Sequence, residues 1–494
     1  MLFNSLDFLF FFPTVVFIFF ILPYQHRWWW LLIASCYFYM ALIPVYILIL
    51  GFTIVIDYFT GIYIEKANQK RSKKSRYLLI ISLVANIGIL GIFKYYNFFS
   101  ENINWLQQQF NLQNTIPYLS IILPVGLSFH TFQAMSYTIE VYRGNQAAEK
   151  HFGKYALYVM FFPQLVAGPI ERPQNILHQF HQKQDFDFRR ITAGLQLIGW
   201  GLFKKVVIAD RVAILVNEVY THPYNYQGIS LIVATVFFAF QIYCDFSGYS
   251  DIALGSAQVM GFNLMQNFNR PYFSTSVAEF WKRWHISLST WFKDYVYIPL
   301  GGNRKGKWKW YFNLLIIFLI SGFWHGASWT FIIWGALHGF YMISSAITLP
   351  IRGKFAQLIH VDTYPKIHKL IQILTTFALV CFAWIFFRAN SITDAYYITT
   401  HLFTGIQENI QTIIFNEDGL REKVLFLGDS YYFISGVLLI ILLVMIEKIQ
   451  NNGSIRLMLS NQPLFVRWSV YYLLILAIIF LGIHTKADFI YFQF

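Results

Sequence analysis

Residues 311–345 read YFNLLIIFLISGFWHGASWTFIIWGALHGFYMISS, without a single Asp, Glu, Lys or Arg. A membrane-crossing helix needs about 20 mainly apolar residues. The run therefore holds either two short helices or one tilted helix with a re-entrant piece. It carries two histidines, and ionisable groups inside such runs are costly and mark functional sites. His325 lies in Ser321-Gly322-Phe323-Trp324-His325-Gly326-Ala327-Ser328-Trp329. The small residues around it let another backbone, or a substrate chain, come close. Burial lowers a histidine's pKa and leaves it neutral, able to accept a proton. The alternative is a core histidine bonded to a neighbouring helix, and the residues alone leave both readings open. His338 lies roughly 220° further around an ideal helix. One straight helix does not aim both at one site, and His338 reads as structural.

The rest of the chain has the same character. Of its 494 residues 57% are apolar, 20% aromatic and 12% charged, about half the ~25% charge of soluble domains. Its 37 Lys and Arg and 24 Asp and Glu cannot clothe the several domains a soluble chain of this length would form, which excludes a soluble enzyme. Apolar residues come in blocks rather than in alternation, which excludes a transmembrane β-barrel. The chain reads as an all-α polytopic integral membrane protein. Spans fall near 8–23, 28–44, 46–62, 78–96, 117–139, 192–216, 228–250, 311–345, 366–387, 430–446 and 468–485. They make about ten to twelve crossings, with re-entrant and interfacial helices beside them. The stretch 155–168 is too short to cross and ends in Gly168-Pro169, so it reads as interfacial or re-entrant. Met1–Phe12 lacks a basic residue and carries Asp7, the reverse of a cleavable signal, so the first block reads as a retained span. With no internal repeat, 1–494 reads as a single membrane domain: N-terminal spans in 1–100, a core with motifs in 117–345, and C-terminal spans in 366–494.

The net charge of +13 would suggest nucleic acid in a soluble protein. Here the cations sit in short loops and set topology. Loop 63–77 holds Lys66, Lys70, Arg71, Lys73, Lys74 and Arg76 against one acid and faces the cytoplasm, whereas 97–116 has no basic residue and faces out. Arg143, Lys150 and Lys154, then the basic stretch 264–310, lie inside; the net acidic loop 388–429 lies outside, and the N-terminus starts outside. Cys36, Cys244 and Cys381 lie far apart and form no disulfide framework.

Two further clusters interrupt apolar surroundings. Phe280-Trp281-Lys282-Arg283-Trp284-His285-Ile286-Ser287 follows Asn269-Arg270-Pro271-Tyr272. At 100° per residue Trp281, Trp284, Leu288, Trp291, Phe292 and Tyr295 share one face, with His285 near its boundary. This predicts one helix lying at the cytoplasmic interface. It is either an anchor with a wet histidine or the wall of a substrate site whose basic residues meet a phosphorylated donor. Gln241 to Asp251 carries Asp245 and Asp251, one of which could orient a histidine or pair with Arg283. No phosphate-binding loop, HExxH or GxSxG is found. His178 and His181 have no third ligand nearby, so no metal site is expected.

The segments Gln241–Asp251, Asn267–Tyr272, Phe280–Thr290, Asp294–Asn303 and Gly322–Thr330 closely resemble the membrane-bound O-acyltransferases, in particular the bacterial branch of the alginate O-acetylation membrane subunit. Leu123–Phe129, Glu140–Gly144, Phe162–Pro169 and the ending Phe489–Phe494 are of the same type, so the resemblance spans nearly the whole chain. It departs at His130, where an aromatic such as Tyr is expected, a change that bears on the acceptor side.

The resemblance implies a ring of helices around a central tunnel. His325 of the apolar Trp-His-Gly motif becomes the catalytic residue, and His285 of Arg-Trp-His a second important polar group. Asn269, Arg283, Trp284, Trp324 and Asp245 become candidates for contact with substrate or donor. It implies acyl transfer, with no bound cofactor, from a cytoplasmic thioester such as acetyl-CoA to an extracytoplasmic polysaccharide: alginate or another exopolysaccharide, peptidoglycan, or, by D-alanylation, teichoic acid. Such systems use an extracytoplasmic serine-hydrolase-like acetyltransferase partner beside the bacterial inner membrane. A lipid-linked glycan transporter would also have many spans and a basic inner face, but would not need a histidine in a charge-free block and predicts two related halves. A scaffold for a glycan synthase leaves the polar groups of 241–251 and 280–294 unexplained.

Overall fold

In the computed structural model the described residues are 1–41, 43–112, 115–120, 124, 126–165, 168–415, 422–426, 430–451, 453–483 and 489–490. Leu123, Val125, Val166, Ala167, parts of the 117–139 and 468–485 spans and of the 388–429 loop, and Tyr491–Phe494 lie outside them. The described elements are all helices. Eight are long and apolar enough to cross a membrane: Pro44–Gln69, Lys74–Gln109, Phe188–Thr221, Ile229–Met260, Trp329–Leu358, Pro365–Arg388, Ser430–Gln450 and Leu464–Leu481. Further helices at Leu6–Ile21, Arg27–Met40, Leu127–Arg143 and Lys307–His325 cover the remaining expected spans. The expected loop 97–116 is instead largely helical: Tyr96–Gln109 continues the Lys74–Leu90 helix through a π-turn at Gly91–Tyr95.

By internal contacts the chain divides into two units, Met1–Ile198 with Tyr249–Gln266, and Gly199–Gly248 with Asn267–Phe494. The first is fastened by a buried polar knot. Asp57 accepts from Ser82 Oγ at 2.6 Å and from Asn86 Nδ2 at 2.9 Å, and Ser82 Oγ reaches Thr138 Oγ1 at 2.9 Å. Three helices are joined this way, since a buried carboxylate in an apolar bundle must find donors. His130 lies buried on the Leu127–Arg143 helix, edge-on to Tyr39. The stretch read as interfacial or re-entrant forms short helices Phe152–Met160 and Phe162–Leu165. Tyr155, Leu157, Tyr158 and Val159 are fully buried there, and Gln133 Nε2 donates to Tyr158 O at 2.6 Å. The segment is a core element of its unit.

In the second unit the charge-free run folds as two helices, Lys307–His325 and Trp329–Leu358, packed as a hairpin. Gly326 takes an extended conformation after His325, and Ser328 Oγ caps the next helix by accepting from Thr330 N–H at 3.3 Å. The arms meet at glycines: a Cβ on Gly322 would lie 2.3 Å from Phe331 O and 3.2 Å from Gly335 Cα, and one on Gly335 would lie 2.3 Å from Phe318 O. Close backbone approach through small residues is the packing mode of membrane helices. A π-turn at Phe203–Ala209 places Lys205 between Asp210 at 2.8 Å and Asp245 at 2.6 Å, all three nearly inaccessible.

Candidate functional site

The expected continuous interfacial helix does not form. Val277–Arg283 and Ile286–Phe292 are separate helices. The first starts at Ser276, whose Oγ accepts from Glu279 N–H, while Glu279 reaches back to Thr275 N–H at 2.8 Å, a reciprocal N-terminal arrangement of the capping-box kind. The break falls at His285, which has φ +42° and ψ +56°. The left-handed region costs a non-glycine residue about 1–3 kcal/mol, and such strain gathers at functional sites. The break also overturns the wet-histidine reading: His285 is 0% exposed. Burial pushes its imidazole down to about 3, so it is neutral at physiological pH.

His325 ends its helix 4% exposed. Its ring centre lies 6.5 Å from that of His285, 4.9 Å from Trp324, 5.0 Å edge-on from Trp334 and 5.4 Å from Phe387. Phe246 closes the other side of His285 at 4.7 Å. Two imidazoles with ring centres this far apart are beyond direct hydrogen-bonding range. The aromatic shell excludes water, which strengthens polar interactions inside it. His338 lies on the second arm of the hairpin, so the angular comparison for one straight helix does not apply. It is buried, accepts from Trp281 Nε1 at 3.2 Å and stands one indole, Trp334, away from His325.

Of the other candidates, Trp324 touches both histidines. Trp284 is buried a ring further out, 5.1 Å from Trp384, which stacks on Trp334. Asn269 is exposed, accepts from Arg270 and donates its N–H to Arg283 O at 2.9 Å. Arg283 pairs with Glu279 at 2.6 Å rather than with an aspartate of 241–251. Asp245 is buried, but its partners are Lys205 and the Ile490 N–H at 2.7 Å; it orients neither histidine. Sequence reading missed Trp334, Phe387 and Phe246, which come from three different helices and meet only in the folded chain. It also passed over Lys204 and Lys205, although two lysines inside the apolar block 192–216 were a legible signal.

The family model for membrane-bound O-acyltransferases matches residues 143–384, which include both histidines and every ring of the aromatic shell except Phe387. The chain is 37% identical over 406 residues to the probable alginate O-acetylase AlgI of Pseudomonas aeruginosa, covering 82% of this chain and 75% of the relative. It is 34% identical over 504 residues to the peptidoglycan O-acetyltransferase of Helicobacter pylori, covering 94% and 90%. A teichoic acid D-alanyltransferase of Streptococcus thermophilus is 27% identical over 245 residues, covering 45% and 57%.

Proposed function

The chain belongs to the membrane-bound O-acyltransferase family, and from that premise we propose that it moves an acetyl group from cytoplasmic acetyl-CoA across a bacterial inner membrane for O-acetylation of an extracytoplasmic polysaccharide. The observation that carries the reading is the position of His325: the end of a charge-free helix, in an aromatic shell, facing a second buried imidazole. His325 takes the proton as the attacking hydroxyl oxygen bonds to the thioester carbonyl carbon. The C–S bond then breaks, and the thiolate leaves with a proton returned by the imidazolium. Such positioned proton transfer contributes about 10²–10⁴ in rate. His285, neutral, acts beside the carbonyl where negative charge develops.

Trp324 and Trp284 form the wall along which the acyl thioester lies, and Arg283 and Asn269, at the accessible edge, meet the donor's charged end. Asp245 serves by holding its part of that wall in place. The acetyl group passes to a serine-hydrolase-like acetyltransferase outside, which completes the modification. Alginate or a similar exopolysaccharide is the acceptor. Peptidoglycan is a second reading, supported by the relative of that name aligning along 94% of the chain.

The test is transfer from radiolabelled acetyl-CoA to cell-envelope polysaccharide in complemented deletion cells at matched abundance. His325→Ala abolishes labelling, and the exposed His178→Ala keeps it. Normal labelling with His325→Ala refutes the base assignment. No labelling by the unaltered protein refutes the donor and favours a carrier-protein thioester or a glycan transporter. Separating labelled exopolysaccharide from labelled peptidoglycan decides the acceptor.

A further inference from the structure

We propose that Asn267 and Ser287 are positioning residues that hold His285 in its left-handed conformation and so aim its ring at His325; this rests on the role given to His285 above. The helical pattern of 277–292 favours one uninterrupted helix, so the break must be imposed from outside it. Four hydrogen bonds with a single non-helical segment, Asn267–Asn269, impose it. Arg283 O accepts from Asn269 N–H at 2.9 Å, and Asn267 O accepts from Ile286 N–H at 2.9 Å. Asn267 Oδ1 then accepts twice from one residue, Ser287 Oγ–H at 2.7 Å and Ser287 N–H at 3.3 Å.

The two bonds to Oδ1 satisfy a first-turn N–H of the Ile286–Phe292 helix, the service an N-cap side chain usually performs. His285, at the N-cap position, makes no side-chain cap bond, and Asn267 supplies the acceptor from another segment. The imidazole is thereby spared for the site. Asn267 and Ser287 are 1% and 0% exposed, so neither reaches solvent or the donor's charged end. Their chemistry is local: an amide oxygen and a hydroxyl that fix where one helix starts. A displacement of about 1 Å at a reacting group costs on the order of 10²-fold in rate, so the latch acts on turnover rather than on donor binding.

The experiment uses the full-length protein in membrane vesicles, with radiolabelled acetyl-CoA and isolated cell-envelope polysaccharide. Asn267→Ala lowers kcat about 10- to 100-fold and Ser287→Ala about 3- to 10-fold, with KM for acetyl-CoA unchanged and a lower melting temperature for Asn267→Ala, which strands two buried donors. The double variant is no worse in turnover than Asn267→Ala, because Asn267→Ala already removes the one bond to Oδ1 that Ser287→Ala removes. In a His285→Ala background neither substitution lowers the residual rate further. Full kcat in both single variants, while His285→Ala is impaired, overturns the proposal and leaves the reading of His285 standing. Losses of equal size in the His285→Ala background also overturn it. An unimpaired His285→Ala removes the reading and the proposal together. If Asn267→Ala fails to fold, the Ser287→Ala arm decides on the same criteria.

Discussion

The glycine crossing that sets the position of His325 makes a quantitative demand. A methyl at Gly335 would meet Phe318 O at 2.3 Å, where ordinary contact begins at 3.4 Å. The two arms must therefore part by about 1 Å, and because the obstacle is backbone, no rotamer change relieves it. Overpacking of this kind costs about 1–3 kcal/mol, against which Gly→Ala in a helix interior gains up to about 1 kcal/mol. Gly335→Ala should therefore lower the melting temperature and, by moving the end of the Lys307–His325 helix, cut transfer by on the order of 10²-fold. Gly353→Ala on the same helix meets nothing within 4 Å; it carries only the propensity gain and should be neutral or slightly stabilising. Melting of the detergent-purified variants, with acetyl transfer in vesicles, separates the two. Equal behaviour of the two substitutions would refute the crossing as the determinant of site geometry.

Lys205→Met leaves Asp210 and Asp245 buried without their cation, a loss of about 3–5 kcal/mol. Folded yield by size exclusion should collapse and return in part when Asp245→Asn is added. His285, held near 3 against an ordinary 6.5, binds its proton only in the unfolded chain between those values. Its contribution to stability is full above about 6.5 and is lost as pH falls, by about 1 kcal/mol per pH unit. His285→Asn, which tolerates the left-handed backbone, should flatten that slope in pH-dependent melting. Asp57→Ala strands the Ser82 and Asn86 donors and should cost about 1–3 kcal/mol, seen as a lower melting temperature, while Asp57→Asn should recover part of it.

What could be read from sequence divides by the range of the interaction responsible. The membrane class and the isolation of His325 rest on composition and local order, and both were legible. A division of 311–345 into two helices was one of the two readings that its length left open, and the break falls among the small residues at 326–328. The break at His285 was not legible: its cause is the non-helical segment around Asn267, and the local pattern of 277–292 argues for continuity. Asp245 illustrates the same limit, since its cation lies 40 positions away on a π-turn that no periodicity announces. Burial of the 155–165 stretch was equally hidden, because a short apolar helix has one signature whether it meets lipid or protein.

Five indoles stand almost in contact around the two histidines. Trp334 lies 5.7 Å from Trp281 and 5.8 Å from Trp384, which is 5.1 Å from Trp284, and Trp324 flanks His325. Chromophores this close share their excited states, so the circular dichroism of the intense far-ultraviolet indole band should carry a split signal from this cluster. Its sign and amplitude depend on the angles between the rings. The protein thus contains its own optical gauge, readable without a label, and an acyl chain entering among these rings would change the spectrum before any product is made.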